Sequence, residues 1–398
     1  MADTLEDLSR FTAGNYRIDV ECHHVDFAGE VVRDLTPYFV QQGSIVERDS
    51  CATESALTAR LNFIFTDAEI LAEFGQATVP WSSMRLRPSI TLVSLDTGEA
   101  SPPTNLGVML PETPRVVADK YPHEFNVDCH DLIHAIAEPT NGTIQLPGGA
   151  TIGIEITTFF GEDFAQISAP PAPMQIDAAV FDIATPTRSA REWVIDNDNT
   201  WLLIIDQLLE SAGWIPPWTN RDGVLTSETW ENPADKPIEM VATDDPRTSI
   251  IALGAGLKDD TWGVPNEFTF IATDFDPTAT TTPVVGDGIV KRSNLNIGPS
   301  SQEARGRVVA TVMRVDAADQ ASLEAIADRI FINRITPAKT LCLEVCPQPL
   351  PWHRGIVQVT SSDLGIEGET YMIREWSLPL DVDGNDARLV LDRVDGLL

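Results

Sequence analysis

The run from Leu341 to Leu391 reads LCLEVCPQPLPWHRGIVQVTSSDLGIEGETYMIREWSLPLDVDGNDARLVL and leaves room for little but strands. Leu341, Leu343 and Val345 alternate with Cys342, Glu344 and Cys346, the period of a strand with one buried face. A proline-rich corner from Pro347 to Pro351 follows. Ile356-Val357-Gln358-Val359 starts a second strand, Asp363 to Gly368 supplies a turn, and Tyr371 to Leu380 a long third strand. Asp383-Gly384-Asn385 turns into a last strand, Arg388 to Val394. Four short strands joined by turn chemistry predict a small barrel or sandwich. Nothing in this run has the pattern of a catalytic site.

The beginning of the chain is also strand-rich. Tyr16, Ile18, Val20 and Cys22 alternate with charged residues, as do Ala59, Leu61, Phe63 and Phe65 with Arg60, Asn62 and Thr66. Arg85 to Ser94 is a third strand, and Pro88 inside it predicts an edge position. Asn126 to Glu138 is expected to be a helix stopped by Pro139, and Thr151 to Thr157 alternates like a strand. The proline-rich stretch 169–173 reads as a stiff, extended linker or loop. Asn199 is placed to cap a helix over Thr200–Ala212, with Trp201, Ile204, Ile205, Leu208, Leu209 and Ala212 on one face and Gly213 at its end. Residues 274–302 read as a long loop. Arg307 to Val315 reads as a strand, followed by a helix over 317–334 that leads into the strands at the C-terminal end.

The 398 residues are 43% hydrophobic, enough for the cores of two or three domains. Formal charge is 27 − 60 = −33. Such acidity excludes a binder of nucleic-acid phosphates or of anionic membrane surfaces, both of which need basic patches. It gives solubility by self-repulsion, and it also suits a surface that DNA must pass without being held. No apolar run is long enough to span a bilayer, and MADTLEDLSR has the composition of neither a secretory signal nor a transit peptide. The five cysteines, Cys22, Cys51, Cys129, Cys342 and Cys346, are odd in number and scattered, which speaks against a disulfide framework.

Candidate chemistry is sparse. His130 and His134, four apart on the expected helix, share a face and can bind zinc, with His123 and Cys129 nearby in sequence. Asp131 stands where a zinc protease needs Glu, and no third ligand follows at the family spacing. An ordinary amphipathic helix is the favoured reading. Cys22-His23-His24 lies in a strand, where neighbouring side chains point to opposite faces. Cys342 and Cys346 share a strand face but lie about 13 Å apart. Asp381 to Asp386 echoes a calcium loop without its glycine and glutamate and reads better as a turn. Gly254-Ala255-Gly256 lacks the rest of a phosphate loop, and Asn141-Gly142-Thr143 is a glycosylation pattern that means little without a secretion signal. No catalytic, metal or cofactor residues are therefore assigned.

The order of elements resembles that of bacteriophage tail hub proteins, both the baseplate hubs of contractile tails and the tail-tip hubs of long, non-contractile ones. The resemblance is carried by Pro-Leu-x-x-x-x-Gly over Pro349–Gly355, the valine-rich strand, the Asp-Leu-Gly-Ile-x-Gly turn, the Tyr-x-Ile strand and the closing Leu-Pro-Leu hairpin. Gln41-Gln42-Gly43-Ser44-Ile45 resembles the Gly-Ser-Ile turn near the start of such hubs, and the leucine-rich helix followed by Trp214-Ile215-Pro216-Pro217-Trp218 resembles their middle domain. Where hubs often carry Gly-Asp, this chain has His353-Arg354-Gly355-Ile356. The resemblance implies an α+β fold in which two barrel-like β domains flank a middle α/β segment, with boundaries at 1–121, 122–240 and 241–398. It implies a structural, non-enzymatic virion protein, a homotrimer at the tail tip. Its implied partners are a distal tail protein, a tape-measure protein and tail fibre or tip proteins, with DNA passing only transiently and no stable membrane association. Two other classes stay open: an adhesin using Trp214, Trp218, Trp230 and Trp352 as stacking platforms, and a metal-dependent hydrolase built on His130 and His134.

Overall fold

The computed structural model describes residues 15–26, 28–49, 57–66, 81, 84–112, 115–117, 124–137, 142–146, 191–195, 200–211, 214–245, 250–252, 256–258, 263–272, 288–315, 317, 320–335, 340–380 and 386–394. Its strands in the first third are β1 (Tyr16–Val25), β2 (Val31–Asp34), β3 (Phe39–Arg48), β4 (Leu57–Ile64), β5 (Arg85–Ser94), β6 (Thr104–Asn105), β7 (Met109–Pro111), β8 (Arg115–Val117) and β9 (Glu124–Asp131). The middle holds β10 (Gly142–Leu146), β11 (Arg191–Ile195), β12 (Trp218–Thr219), β13 (Leu225–Thr226), β14 (Met240–Thr243), β15 (Gly256–Lys258), β16 (Glu267–Ala272), β17 (Ile289–Ser293) and β18 (Ala310–Val315). The last are β19 (Thr340–Val345), β20 (Ile356–Ser361), β21 (Ile366–Pro379) and β22 (Ala387–Arg393). Helices are α1 (His134–Ala137), α2 (Trp201–Ser211), α3 (Gln302–Arg305) and α4 (Gln320–Ile335). The described residues are mostly β.

The expected first and last β domains share one sheet. Its order is β15-β19-β22-β21-β3-β4-β9-β7-β5-β1-β2, with β14, β20, β6 and β8 attached at the side, and among the described residues it closes into no barrel. The seam between the two ends of the chain is β3 against β21, antiparallel, running from Arg48↔Glu375 to Ser44↔Pro379. One core lies under both halves: Ile45, Leu61, Phe63 and Phe125 from the first strands join Leu343, Val359, Trp376 and Leu389 from the last. A second core gathers Leu132, Ile133 and Ile136 around α2 and the β12–β13 hairpin. In a third, the three-stranded sheet β17-β16-β18 packs Phe268, Phe270 and Val290 against Leu323, Ile326 and Ala327 of α4.

Several local expectations need correction. The helix placed over Asn126–Glu138 is strand β9 followed by the single turn α1. Cys129, Leu132, Ile133 and Ile136 fit a helical stripe, but Phe125, Val127 and Cys129 also alternate. Pairing with β4 from Thr58↔His130 to Ile64↔Glu124 decides for the strand. Pro88 does not mark an edge, because β5 lies between β1 on one side and β6 and β7 on the other. Cys22, its partner across the β1–β5 pair, directs its own N–H and C=O away to Thr36 and Leu35. By antiparallel alternation, the missing N–H of Pro88 falls on the other side, near the break between β6 and β7, while its carbonyl accepts from Leu106. The stretch 274–302 is not all loop, since β17 lies inside it and pairs with β16.

Other expectations hold. α2 starts one residue late, with the Thr200 hydroxyl accepting from the Leu203 N–H at 3.3 Å, and buries Trp201, Ile204, Ile205, Leu208 and Leu209. α4 and the four closing strands lie within a few residues of their predicted spans. The strand at 151–157, the linker at 169–173 and the cap Asn199 lie outside the described residues.

Gly43-Ser44-Ile45 is not a turn but the middle of β3, at a break in register between Val40 and Gly43. Gly43 has φ +127°, its carbonyl accepts from Leu380 of the neighbouring chain end, and a Cβ there would sit 2.1 Å from the Arg60 carbonyl oxygen. Gly43→Ala is expected to cost at least about 1–3 kcal/mol through backbone strain. An unchanged denaturation midpoint would show that the bulge is not fixed as described.

Candidate functional site

The seam between β3 and β21 carries a buried polar junction. Glu47 of β3 stands directly opposite Trp376 of β21 and is buried. Above them runs the corner Leu350-Pro351-Trp352-His353-Arg354-Gly355, which closes with the Gly355 N–H donating to the Trp352 carbonyl at 2.9 Å. Arg354 takes the left-handed conformation at φ 54° to make that turn. Gly355 follows because a Cβ there would meet the Pro351 Cβ at 2.5 Å and the Trp352 oxygen at 3.0 Å.

The corner binds three parts of the chain. His353 Nδ1 lies 2.7 Å from Glu47 Oε1, and its ring stacks on Trp218 with centroids 4.7 Å apart and an interplanar angle of 18°. The Trp352 indole N–H donates to the Thr219 carbonyl at 3.0 Å, and its ring lies 5.6 Å from Trp376. Arg221 places its guanidinium 4.5 Å over the Trp352 ring and donates to the carbonyls of Asn105 at 3.0 Å and Leu350 at 2.5 Å. The β12–β13 hairpin is thereby fastened to the corner by one aromatic stack, one cation–π contact and two hydrogen bonds to main-chain oxygens, and to β6 by a third.

Burial dominates the electrostatics. It lowers His353 to about 4, with Asp49 pulling upward and Arg354 further down. Burial, then the Asp49 and Glu375 carboxylates, hold Glu47 well above the usual carboxylate range, against the pull of Arg221. Burial also lowers the Arg221 guanidinium to about 10, opposed by Glu239, Asp222 and Glu47. Both members of the His353–Glu47 pair are thus driven toward their uncharged forms. His353 Nε2 lies 3.6 Å from Asp49 Oδ1, beyond a good hydrogen bond. The site has the character of a fastening.

The histidines singled out for metal are arranged differently from expectation. His130 is the penultimate residue of β9 and His134 opens α1, yet their rings stack at 4.1 Å, and His130 Nε2 lies 2.9 Å from Glu112 Oε1. Asp131 between them is fully buried, and its carboxylate accepts from the Leu57 N–H at 3.0 Å and the His134 N–H at 3.3 Å. It braces β4 against the turn into α1. Among the described residues no group of three His, Cys, Asp or Glu side chains is placed to hold a metal ion. His123, Cys51 and the stretches 381–385 and 253–255 lie outside the described residues. Cys22 and Cys129 are buried, with their thiols pushed up by burial. The tryptophans offered as stacking platforms pack inward: Trp218 is buried, and Trp214, Trp230 and Trp352 lie partly buried against the second core.

Sequence reasoning missed Glu47 and the role of His353, which are 306 residues apart. A signal existed in β3, where Glu47 falls two residues after Ile45 on the buried face. A carboxylate at an inward position calls for a buried partner.

A tail protein from Neisseria meningitidis MC58 superposes with a TM-score of 0.61 at 14% identity, over 96% of this chain and 98% of that one. The 43 kDa tail protein of prophage MuSo2 from Shewanella oneidensis gives 0.59 at 12% identity, over 96% and 99%. The fold is that of phage tail proteins. A chain of the Francisella PdpA–VgrG complex also matches, with a TM-score of 0.55 at 11% identity, over 96% of this chain and 53% of that one. No family model matches the sequence, and neither does any curated protein.

The junction makes stability depend on pH. Unfolded His353 takes a proton below its ordinary 6.5, whereas the folded residue refuses it until about 4. Its contribution is therefore present above 6.5 and lost as pH falls toward 4. Glu47 acts in the opposite sense: its raised value contributes stability below the ordinary 4.5, which fades as pH rises through the folded value. His353→Gln removes the first dependence and keeps a polar side chain. Its melting temperature is expected to fall less steeply than that of the wild type between pH 6.5 and 4. Parallel curves would show that His353 does not govern the junction.

Proposed function

We propose that the chain is a structural protein of a bacteriophage tail, acting at the tail tip as a trimeric hub. The observation that carries this reading is coverage: two tail proteins match it over 98% and 99% of their own lengths, not over one shared module. The resemblance seen in the sequence points the same way and extends it to a tail-tip position. In this reading the segments 1–121, 122–240 and 241–398 act as two barrel-like lobes and a middle segment. Three copies then present six similar lobes, a ring that adapts a sixfold tube to a threefold tip. The shared sheet supports such a ring, because the β3–β21 seam holds the two lobes of one copy in a fixed relation.

The partners of such a hub are a distal tail protein on the tube side, the tape-measure protein within, and fibre or tip proteins beyond. The hub carries no chemistry of its own. It works by geometry, in the virion tail after assembly in the host cytoplasm, and DNA crosses its channel without being held. Native mass spectrometry of the purified chain, or averaging of intact tails, is expected to give three copies per ring. A sixfold or single-copy arrangement in the tail would end this reading.

The charge of −33 leads to a second expectation. A wall that DNA slides past needs an excess of carboxylates, since holding phosphate requires cationic contacts and counterion release. Screening confines the effect to roughly 8 Å at physiological salt, so only residues at the lumen count. The inner wall of the assembled ring is expected to carry more Asp and Glu than Lys and Arg, and the ring to bind no DNA in a filter or mobility assay. A basic lumen, or binding at physiological salt, would refute it.

A further inference from the structure

The 2.7 Å contact between His353 Nδ1 and Glu47 Oε1 requires a hydrogen between the two atoms. Three arrangements supply one. A neutral imidazole donates from Nδ1 to a carboxylate, an imidazolium does the same, or a protonated Glu47 donates to a bare Nδ1. The surroundings separate them.

The His353 side chain is 2% exposed and that of Glu47 3%. Among the described residues Glu47 Oε2 and His353 Nε2 have no hydrogen-bond partner. The indole N–H of Trp376, which faces Glu47 across the seam, is unpartnered too and so does not serve Oε2. A buried carboxylate held by a single donor is costly, whereas a carboxylic acid leaves only a carbonyl-type oxygen unserved. His353 Nε2 lies 3.6 Å from Asp49 Oδ1. A bare Nε2 turns its lone pair toward that carboxylate, and an Nε2–H turns its positive end.

An imidazolium satisfies both directions but puts two charges in a dry site. Around the pair, the acids Asp49, Glu375 and Glu228 are matched by Arg221, Arg354 and Lys236, with Asp222 and Glu239 beyond, facing Arg221. Glu228 is bound to Lys236, and Arg221 donates to the Asn105 and Leu350 carbonyls. Neither sign is in such excess as to offset the desolvation of an ion pair. The β12–β13 hairpin covers the site: Trp218 lies on the imidazole, and Trp352 is bonded to the Thr219 carbonyl.

We propose that a proton carried on Glu47 links it to Nδ1 of His353, with the ring N–H on Nε2 facing Asp49, and that the β12–β13 hairpin is a lid held shut by this uncharged link. Lifting the lid lets water reach the pair. The open groups then return to their ordinary values, 6.5 for His353 and 4.5 for Glu47, whereas burial holds the closed ones at about 4 and well above 4.5. Between 4.5 and 6.5 the titrating proton sits on Glu47 when closed and on His353 when open, so opening exchanges none with solvent. Above 6.5 opening releases one, and closure weakens as pH rises toward the folded value of Glu47. The device is a latch shut in mild acid and loosened by alkali, and it stands on this junction independently of the hub reading.

The test uses the full chain. With nitrogen-15 in the histidine rings, and His353→Gln to assign the signal, magnetic resonance at about pH 6 is expected to show a bare Nδ1 and a protonated Nε2 for His353. A proton on Nδ1, alone or together with Nε2, overturns the link. The Trp352 indole N–H reports the lid, because lifting the hairpin breaks its bond to Thr219. Its exchange protection, corrected for the intrinsic pH dependence of exchange, is expected to fall about tenfold or more between about pH 6.5 and 8.5. Glu47→Gln keeps a donor toward Nδ1 and cannot ionise, so its protection is expected to stay level. A level wild-type profile, or a variant that falls in parallel with the wild type, overturns the lid. If the variant does not fold, the ring-nitrogen spectrum and the wild-type profile decide by themselves.

Discussion

The pairing of β3 with β21 is the constraint on which the rest depends. It joins residues more than three hundred positions apart, and the first core exists only because strands from both ends of the chain lie over it. Ile45, Trp376 and Leu378 are all buried at the seam. Supporting contacts have the same reach: the Tyr16 hydroxyl donates to the Pro347 carbonyl at 2.7 Å, and Arg48 meets Glu375 at 3.2 Å. The exposed ion pair contributes little by itself. The ladder and the shared apolar surface hold the two halves together.

Placing Glu47 and His353 in this seam has a definite physical effect. A buried ionisable pair is weak support for stability compared with well-packed apolar residues, yet it tolerates few alternative arrangements. Sliding β3 by one residue against β21 would turn Glu47 outward and leave His353 Nδ1 without its partner. The hairpin with Trp218 and Arg221 would lose its stacking surface in the same step. The polar junction therefore specifies register at the point where an error would displace a whole segment.

Local patterns were legible in the sequence, and long-range ones were not. The closing strands and helices α2 and α4 follow from alternation and from helical spacing of Leu and Ile, signals contained in ten or fifteen residues. Asn126 to Ile136 satisfied both periods at once, and its partner strand β4 decided between them. Pro88 misled because its effect depends on which side of β5 its nitrogen faces, which only the neighbouring strands determine. β17 was hidden by polar, turn-forming neighbours on both sides. His353 stood out as a departure from the hub-like pattern, but its partner Glu47 belonged to a strand read for its apolar residues alone.

The seam also sets a timetable. β3 ends at Arg48 and β21 begins at Ile366, 366 − 48 = 318 residues later. At synthesis rates of roughly 5–20 residues per second, the interval is roughly 15–60 s. Throughout it the nascent β3 has β4 on one side and a bare edge on the other, an invitation to pair with another chain. One feature of that edge discourages the wrong partner: Glu47 sets a carboxylate on the face an intruding strand would need to bury. The residue that locks the finished seam thus also guards it while the chain is still being made.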